Sequence, residues 1–220
     1  MFDMSERGFK IRRIIFAAIY ILLAVFALIQ AAFPAEQSSE VSSVFTSFAS
    51  LTFFGEEVSE VTIMQKTLSF EEFAGFLRKL VGHFGLFALM GAFGFFALYK
   101  VLRTKKVLII DLLTTFSIAV LTETIQSFVP TRAGLISDMV LDTQGAIAAV
   151  ALIVAIISLR SRIKYKHHKR LTLYVAAPAI LFAILHLIFN ADSFYTYFCY
   201  ILYISVGAVS ICLTAAADIF

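Results

Sequence analysis

Tryptophan is absent from this 220-residue chain, and charge is scarce, with only 15% of residues Asp, Glu, Lys or Arg. A soluble globular domain carries nearer a quarter. The two cysteines, Cys199 and Cys212, lie in one late apolar run. That spacing on a helix is about 20 Å of rise, too far for a disulfide, so both read as packing residues and fix no redox compartment. No internal repeat is evident. There is no phosphate-binding loop, Gly-rich dinucleotide turn, H-E-x-x-H pair or Cys-rich metal spacing, and so no soluble catalytic motif. No cofactor or metal is demanded by the spacing of any residues.

What the chain does have is apolar residues, 60% of the total, including 24 Phe. Six runs approach the roughly 20 apolar residues that a bilayer-crossing helix needs: Ile14–Phe33, Leu80–Tyr99, Val107–Val129, Met139–Leu159, Leu171–Phe189 and Tyr195–Ala217. The first stops at Pro34 and the third at Pro130, while Pro178, Asn190 and Asp192 interrupt the last two. The expected fold class is all-α, a polytopic transmembrane bundle of about six spans. The first run exceeds the apolar core of a usual signal peptide and has no small-x-small cleavage site after it, so it reads as an uncleaved anchor.

Basic residues set the orientation, because Lys and Arg collect in cytoplasmic loops. Fourteen of the eighteen fall in three segments. Arg7, Lys10, Arg12 and Arg13 precede the first run; Lys100, Arg103, Lys105 and Lys106 follow the second; Arg160, Arg162, Lys164, Lys166, Lys169 and Arg170 follow the fourth. Six spans place all three on one side and both termini in the cytoplasm. The apolar flanks make topology, not nucleic-acid binding, the reading of these clusters.

The chain divides accordingly into a tail and first helix (1–33), an extracytoplasmic acidic segment with amphipathic helices (34–79), a core of three helices (80–159), and a basic loop with the last two helices (160–220). In the acidic segment, Val41, Val44, Phe45, Phe48 and Leu51 follow helical spacing. Ser69 and Glu72 form an S-x-x-E capping box that opens a helix running into the second span. This segment is either a loop packed over the bundle or a lid over an outward-facing site.

Ionisable groups inside spans are costly and mark function by default. His83 begins the second run. Glu123 and Gln126, at i and i+3, share a face at the end of the third. Arg132 lies in the short loop that follows. Asp138 and Asp142, at i and i+4, begin the fourth, and Gly145 continues their stripe. Antiparallel helices with short loops bring these groups together in a polar pocket at the outer end. Each has a structural reading as well: Asp138 as a helix-dipole partner, Arg132 snorkelling to headgroups, His83 as a satisfied core histidine, and Gln126 as interhelical glue. Glu123 and Asp142, a turn or more inside, resist such a reading. Asp111 lies close enough to the inner interface to be ordinary, and His186 and Asn190 could join a network with the rest.

In this order the motifs resemble the VanZ-like family. K-x-x-x-H-F runs through Lys79, His83 and Phe84. E-x-x-Q-x-F-x-P-x-R runs through Glu123, Gln126, Phe128, Pro130 and Arg132. S-D-x-x-x-D-x-x-G runs through Ser137, Asp138, Asp142 and Gly145. The resemblance covers roughly Arg78 to Leu159, with one departure: the family pattern usually has Asn where this chain has Asp142. It implies a multi-pass membrane protein of the bacterial cell envelope, similar to accessory factors that raise resistance to teicoplanin-type lipoglycopeptides.

Three functions compete for such a pocket. An enzyme would act on a lipid-linked envelope molecule, with Glu123, His83, Asp138 and Asp142 as catalytic candidates and Glu123 as general acid or base. Arg132, Gln126, Lys79, Ser137 and Gly145 would line the ligand, Arg132 as an anion clamp. A non-catalytic binder would sequester a lipoglycopeptide or lipid at the outer leaflet. A transporter ranks third, because the polar groups cluster at one depth. The expected partners are membrane lipids and a lipid-linked cell-wall precursor or lipoglycopeptide, not nucleic acid. The oligomeric state is not readable.

Overall fold

The structure is a computed structural model and describes residues 6–37, 40, 43–44, 47–48, 51, 60–63 and 66–161. The fifth and sixth expected spans, both cysteines, His186 and Asn190 lie outside the described residues.

The described chain is a helical bundle with a small hairpin attached. Helix α1 spans Glu6–Ala32. Strands β1 (Glu60–Ile63) and β2 (Lys66–Ser69) pair antiparallel, Glu60 opposite Ser69. Helix α2 covers Phe70–Leu77, and a π-helical segment, Arg78–Gly85, carries the chain from it into α3, Leu86–Leu98. Helices α4 (Thr104–Ser127) and α5 (Ile136–Ser161) complete the bundle. Among the described residues, four stretches are long and apolar enough to cross a membrane: Glu6–Ala32, Arg78–Leu98, Lys106–Ser127 and Ile136–Val154. They correspond to the first four expected runs.

Local chemistry explains the boundaries. Helix α1 ends just before Pro34, and α4 ends before Pro130, which disfavours helical geometry in the residue preceding it. The Ser69–Glu72 box forms as its spacing predicts. The Ser69 N–H donates to Glu72 Oε2 at 2.8 Å, and the Glu72 N–H donates back to Ser69 Oγ at 3.3 Å. The hairpin ahead of it is a feature that helical spacing did not predict. Between α3 and α4 the chain turns tightly through Lys100, the one non-glycine residue at positive φ (65°) among those described.

The bundle is inside-out relative to a soluble protein. On α4, Ile109 and Leu113 are each 59% exposed, whereas Asp111, Thr115, Thr122, Glu123 and Gln126 are buried. Exposed apolar side chains also run along α1, from Ile14 through Leu22 to Ile29. That arrangement is stable only where the surrounding solvent is apolar. Helix α5 is the most enclosed of the four and α1 the least.

Close packing centres on α5. A Cβ at Gly145 would collide with the Phe84 carbonyl oxygen in the π-helical segment. A Cβ at Gly91 would come within 2.9 Å of Ala146 Cα. Small residues let helix backbones approach in this way where no hydrophobic drive pulls membrane helices together. Phe84, Phe95, Val107, Leu141, Ile147, Val150 and Val154 fill the core beside this seam.

The two ends of the bundle are tied separately. At one, Arg13 Nε donates to the Ala97 carbonyl at 3.1 Å, which brings the base of α1 to the α3–α4 turn. At the other, the Ala35 N–H donates to Thr131 Oγ1 at 2.9 Å, joining the chain after α1 to the α4–α5 loop. The second end carries the site.

Candidate functional site

The π-helical segment positions the first two site residues. The Leu86 N–H reaches back to the Val81 carbonyl, one residue beyond the α-helical partner. Single π turns often occur at functional sites. Here the wider turn presents Lys79 and His83 to the start of α5. Gly82 and Gly85 fall within it, and glycine weakens the competing α-helix.

Lys79 Nζ donates to Asp138 Oδ1 at 2.7 Å, and Ser137 Oγ donates to the same oxygen at 3.3 Å. His83 Nδ1 lies 3.0 Å from Asp142 Oδ1, and its Nε2 lies 3.9 Å from Asp138 Oδ2. Thus Asp138 and Asp142, one turn apart on α5, face the two nitrogens of one imidazole. Glu123 enters from α4. Its Oε2 accepts the Leu135 N–H at 2.8 Å, at the N-terminal edge of α5 where a helix leaves donors open. Glu123 is 3% exposed and Asp142 1%. Glu123 Oε1 and Asp142 Oδ2 are buried with no hydrogen-bond partner. An unmet buried acceptor costs about 1–3 kcal/mol, and more when charged. Ligand atoms of His83, Glu123 and Asp142 all lie within 4.8 Å of one another.

His83, Glu123, Asp138, Asp142, Lys79 and Ser137 therefore assemble as their spacing suggests. Gln126 is buried on α4, one turn beyond Glu123. Gly145 acts at one remove, by admitting the Phe84 backbone and so letting the segment that carries His83 lie against α5. Where the chain departs from the motif, at Asp142, it places a carboxylate directly against His83.

Arg132 is placed differently. Its Nη1 donates to the carbonyls of Gln30 at 3.0 Å and Phe33 at 3.4 Å, closing the end of α1. Burial, together with the nearby Arg78 charge, pushes its pKa down from the ordinary arginine value, and the charges of Glu123 and Asp138 push it back up. The guanidinium thus sits near the acidic cluster with Nη1 bonded to the backbone at the end of α1.

Asp111 also differs from expectation. It is 1% exposed rather than an ordinary interface residue, and both its oxygens lack a partner. Helices α1 and α3 cover it. A Cβ at Gly94 would strike Asp111 Oδ1 and meet the Tyr20 ring, whose hydroxyl donates to Thr114 Oγ1 at 3.1 Å. With Thr115, Thr122 and Gln126, Asp111 extends the buried polar face of α4 well below the site. Polar groups therefore do not cluster at one depth alone. A lone Asp near a helix start gives no signal of this burial; only the helical spacing from Asp111 through Thr115 and Thr122 to Gln126 could have shown it.

A VanZ/LLP1 family model matches residues 16–160. The chain belongs to the VanZ/LLP1 family. The match begins within α1 and ends in α5, so it embraces the four-helix body and not only the motifs from Arg78 onward. No curated protein and no solved structure matches the chain. In this VanZ/LLP1 membrane protein, the site joins an imidazole, three carboxylates and one ammonium in a buried, low-dielectric setting. Proton transfer, anion recognition and cation binding are all within reach of such a set.

Proposed function

We propose that this VanZ/LLP1 protein acts at the outer face of the bacterial cell membrane on a lipid-linked envelope molecule, and that this action underlies protection against teicoplanin-type glycopeptides. The observation that carries the reading is the buried group of His83, Glu123, Asp138, Asp142 and Lys79, with Glu123 Oε1 and Asp142 Oδ2 unpartnered. A structural network closes its own hydrogen bonds. This one leaves two carboxylate oxygens unmet, which suits groups that exchange a proton or meet a ligand. The lipid tail would lie against the apolar outer faces of the helices.

Sequestration without chemistry is the alternative, and it needs an anion-binding group such as Arg132. The hydrogen bonds from Arg132 to α1 count against that role. A transport reading draws support from the polar face of α4 that reaches down to Asp111.

The test is teicoplanin susceptibility in cells expressing the wild type, Glu123→Gln or Asp111→Asn, with membrane abundance checked in parallel. The expected result is protection by the wild type and Asp111→Asn, and its loss in an abundant Glu123→Gln protein. Protection that survives Glu123→Gln removes chemistry at that residue and leaves sequestration. Loss in Asp111→Asn alone shifts the function to transport.

A further inference from the structure

We infer that His83, Glu123 and Asp142 form a binding site for a divalent transition-metal ion of the zinc type, with Asp138 and the Leu135 N–H orienting the ligands. The inference deepens the proposed function by naming what the pocket holds, but it stands on geometry alone.

The ligand set comes from three elements that meet at one point. His83 is supplied by the π-helical segment, Glu123 by α4 and Asp142 by α5, with ligand atoms all within 4.8 Å of one another. In a tetrahedral site with bonds near 2.0–2.1 Å, ligand atoms stand about 3.3 Å apart. The 3.0 Å separation of His83 Nδ1 and Asp142 Oδ1 is already close to one such edge. Glu123, within 4.8 Å of both, supplies the third corner on drawing in toward the ion. One imidazole with two carboxylates is a borderline set, which favours zinc-like ions over magnesium or calcium, whose ligands are oxygens.

Two further observations point to a ligand rather than to a closed cluster. Glu123 Oε1 and Asp142 Oδ2 are fully buried and unpartnered, one on each of two proposed ligands. Glu123 and Asp142 also bring two carboxylates to one imidazole, while Lys79 is bonded to Asp138. A divalent cation at their meeting point would bind both carboxylates.

The surroundings are those of a supported metal site. Metal-bound histidines usually present their second nitrogen to a carboxylate, which fixes the ring. With Nδ1 toward the ion, His83 Nε2 faces Asp138 Oδ2 at 3.9 Å, and Lys79 anchors Asp138 from behind at 2.7 Å. Glu123 is fixed in the same way, with Oε2 held by the Leu135 N–H and Oε1 left over. Arg132, the nearby cation, is bonded through Nη1 to the backbone at the end of α1 rather than to any of the three ligands. Three protein ligands leave one position open, the arrangement of zinc sites that hold a water or a substrate oxygen. Bound there, the ion would polarise a phosphoryl or carbonyl oxygen of a headgroup.

The test uses the full-length chain purified in detergent, stripped with chelator and titrated with Zn2+, with bound metal measured by elemental mass spectrometry. About one zinc per chain is expected. His83→Ala and Asp142→Asn should weaken binding at least tenfold, and Asp138→Asn about tenfold as an orienting residue. Glu60→Gln, on the hairpin, should leave binding unchanged. Substitution by Co2+ should give the visible absorption of a tetrahedral nitrogen–oxygen site in the wild type, a readout that requires no variant to fold. No zinc above background, or zinc whose affinity ignores both His83→Ala and Asp142→Asn, overturns the site. Stoichiometric zinc in a protein that gives no teicoplanin protection fails the functional reading alone, whereas protection by a protein that binds no zinc fails the metal site alone.

Discussion

Arg132 donates to the carbonyls of Gln30, in the last turn of α1, and of Phe33, just past it, where a helix end is short of donors. Hydrogen bonds to a charged donor contribute about 1.5–3 kcal/mol each. Arg132→Ala should therefore lower the unfolding temperature in detergent, and Arg132→Lys should recover part of the loss. Glu123→Gln keeps a carbonyl oxygen for the Leu135 N–H and should shift unfolding far less. Equal melting of Arg132→Ala and wild type would remove the helix-closing role and return the guanidinium to the acidic cluster as a ligand-binding candidate. Sequence spacing brought out His83, Glu123, Asp138 and Asp142 because helical periodicity relates neighbours a turn apart. It could not bring out the partners of Arg132, which are backbone atoms about a hundred residues away. Asp111 was misplaced for a similar reason: its burial comes from α1 and α3, not from α4.

The seam between α5 and the segment bearing His83 depends on the absence of a side chain at Gly145. A Cβ there would meet the Phe84 carbonyl, and backbone on both sides cannot yield as a flexible side chain would. Gly145→Ala should push the π-helical segment outward, separate His83 from Asp142, and cost about 1–3 kcal/mol as overpacking. Thermal unfolding measures the cost, and loss of teicoplanin protection in an abundant protein measures the displacement of His83. A fully active, equally stable Gly145→Ala protein would show that the seam does not set the site. The four described helices long enough to span a membrane were legible within a few residues, since apolar length and proline stops are local signals. The π turn was not, because Gly82 and Gly85 weaken an α-helix without selecting the wider turn, which forms where the segment packs on α5. The hairpin Glu60–Ser69 escaped as well, lying in an acidic segment where helical spacing of apolar residues dominated the pattern.

At the scale of the molecule, the direction in which the bundle faces decides whether the site can meet an envelope substrate. Arg13 bonds to Ala97 and so lies beside the turn that carries Lys100 and Arg103, at the end of the bundle away from His83 and Glu123. Two basic clusters thus share one end of the fold, and the basic run from Arg160 follows α5, whose start bears Asp138 and whose far end returns to that side. Since Lys and Arg mark the cytoplasmic face, the site end should face outward. Single cysteines introduced by Ser39→Cys or Ser161→Cys, in a chain with Cys199 and Cys212 replaced, test this with a membrane-impermeant maleimide. The expected outcome in intact cells is labelling at position 39 and none at 161 until the membrane is permeabilised. The reverse pattern would turn the pocket toward the cytoplasm, where a glycopeptide acting outside the membrane never reaches it. The metal site would survive that result, because it rests on distances within the bundle; the envelope substrate would not.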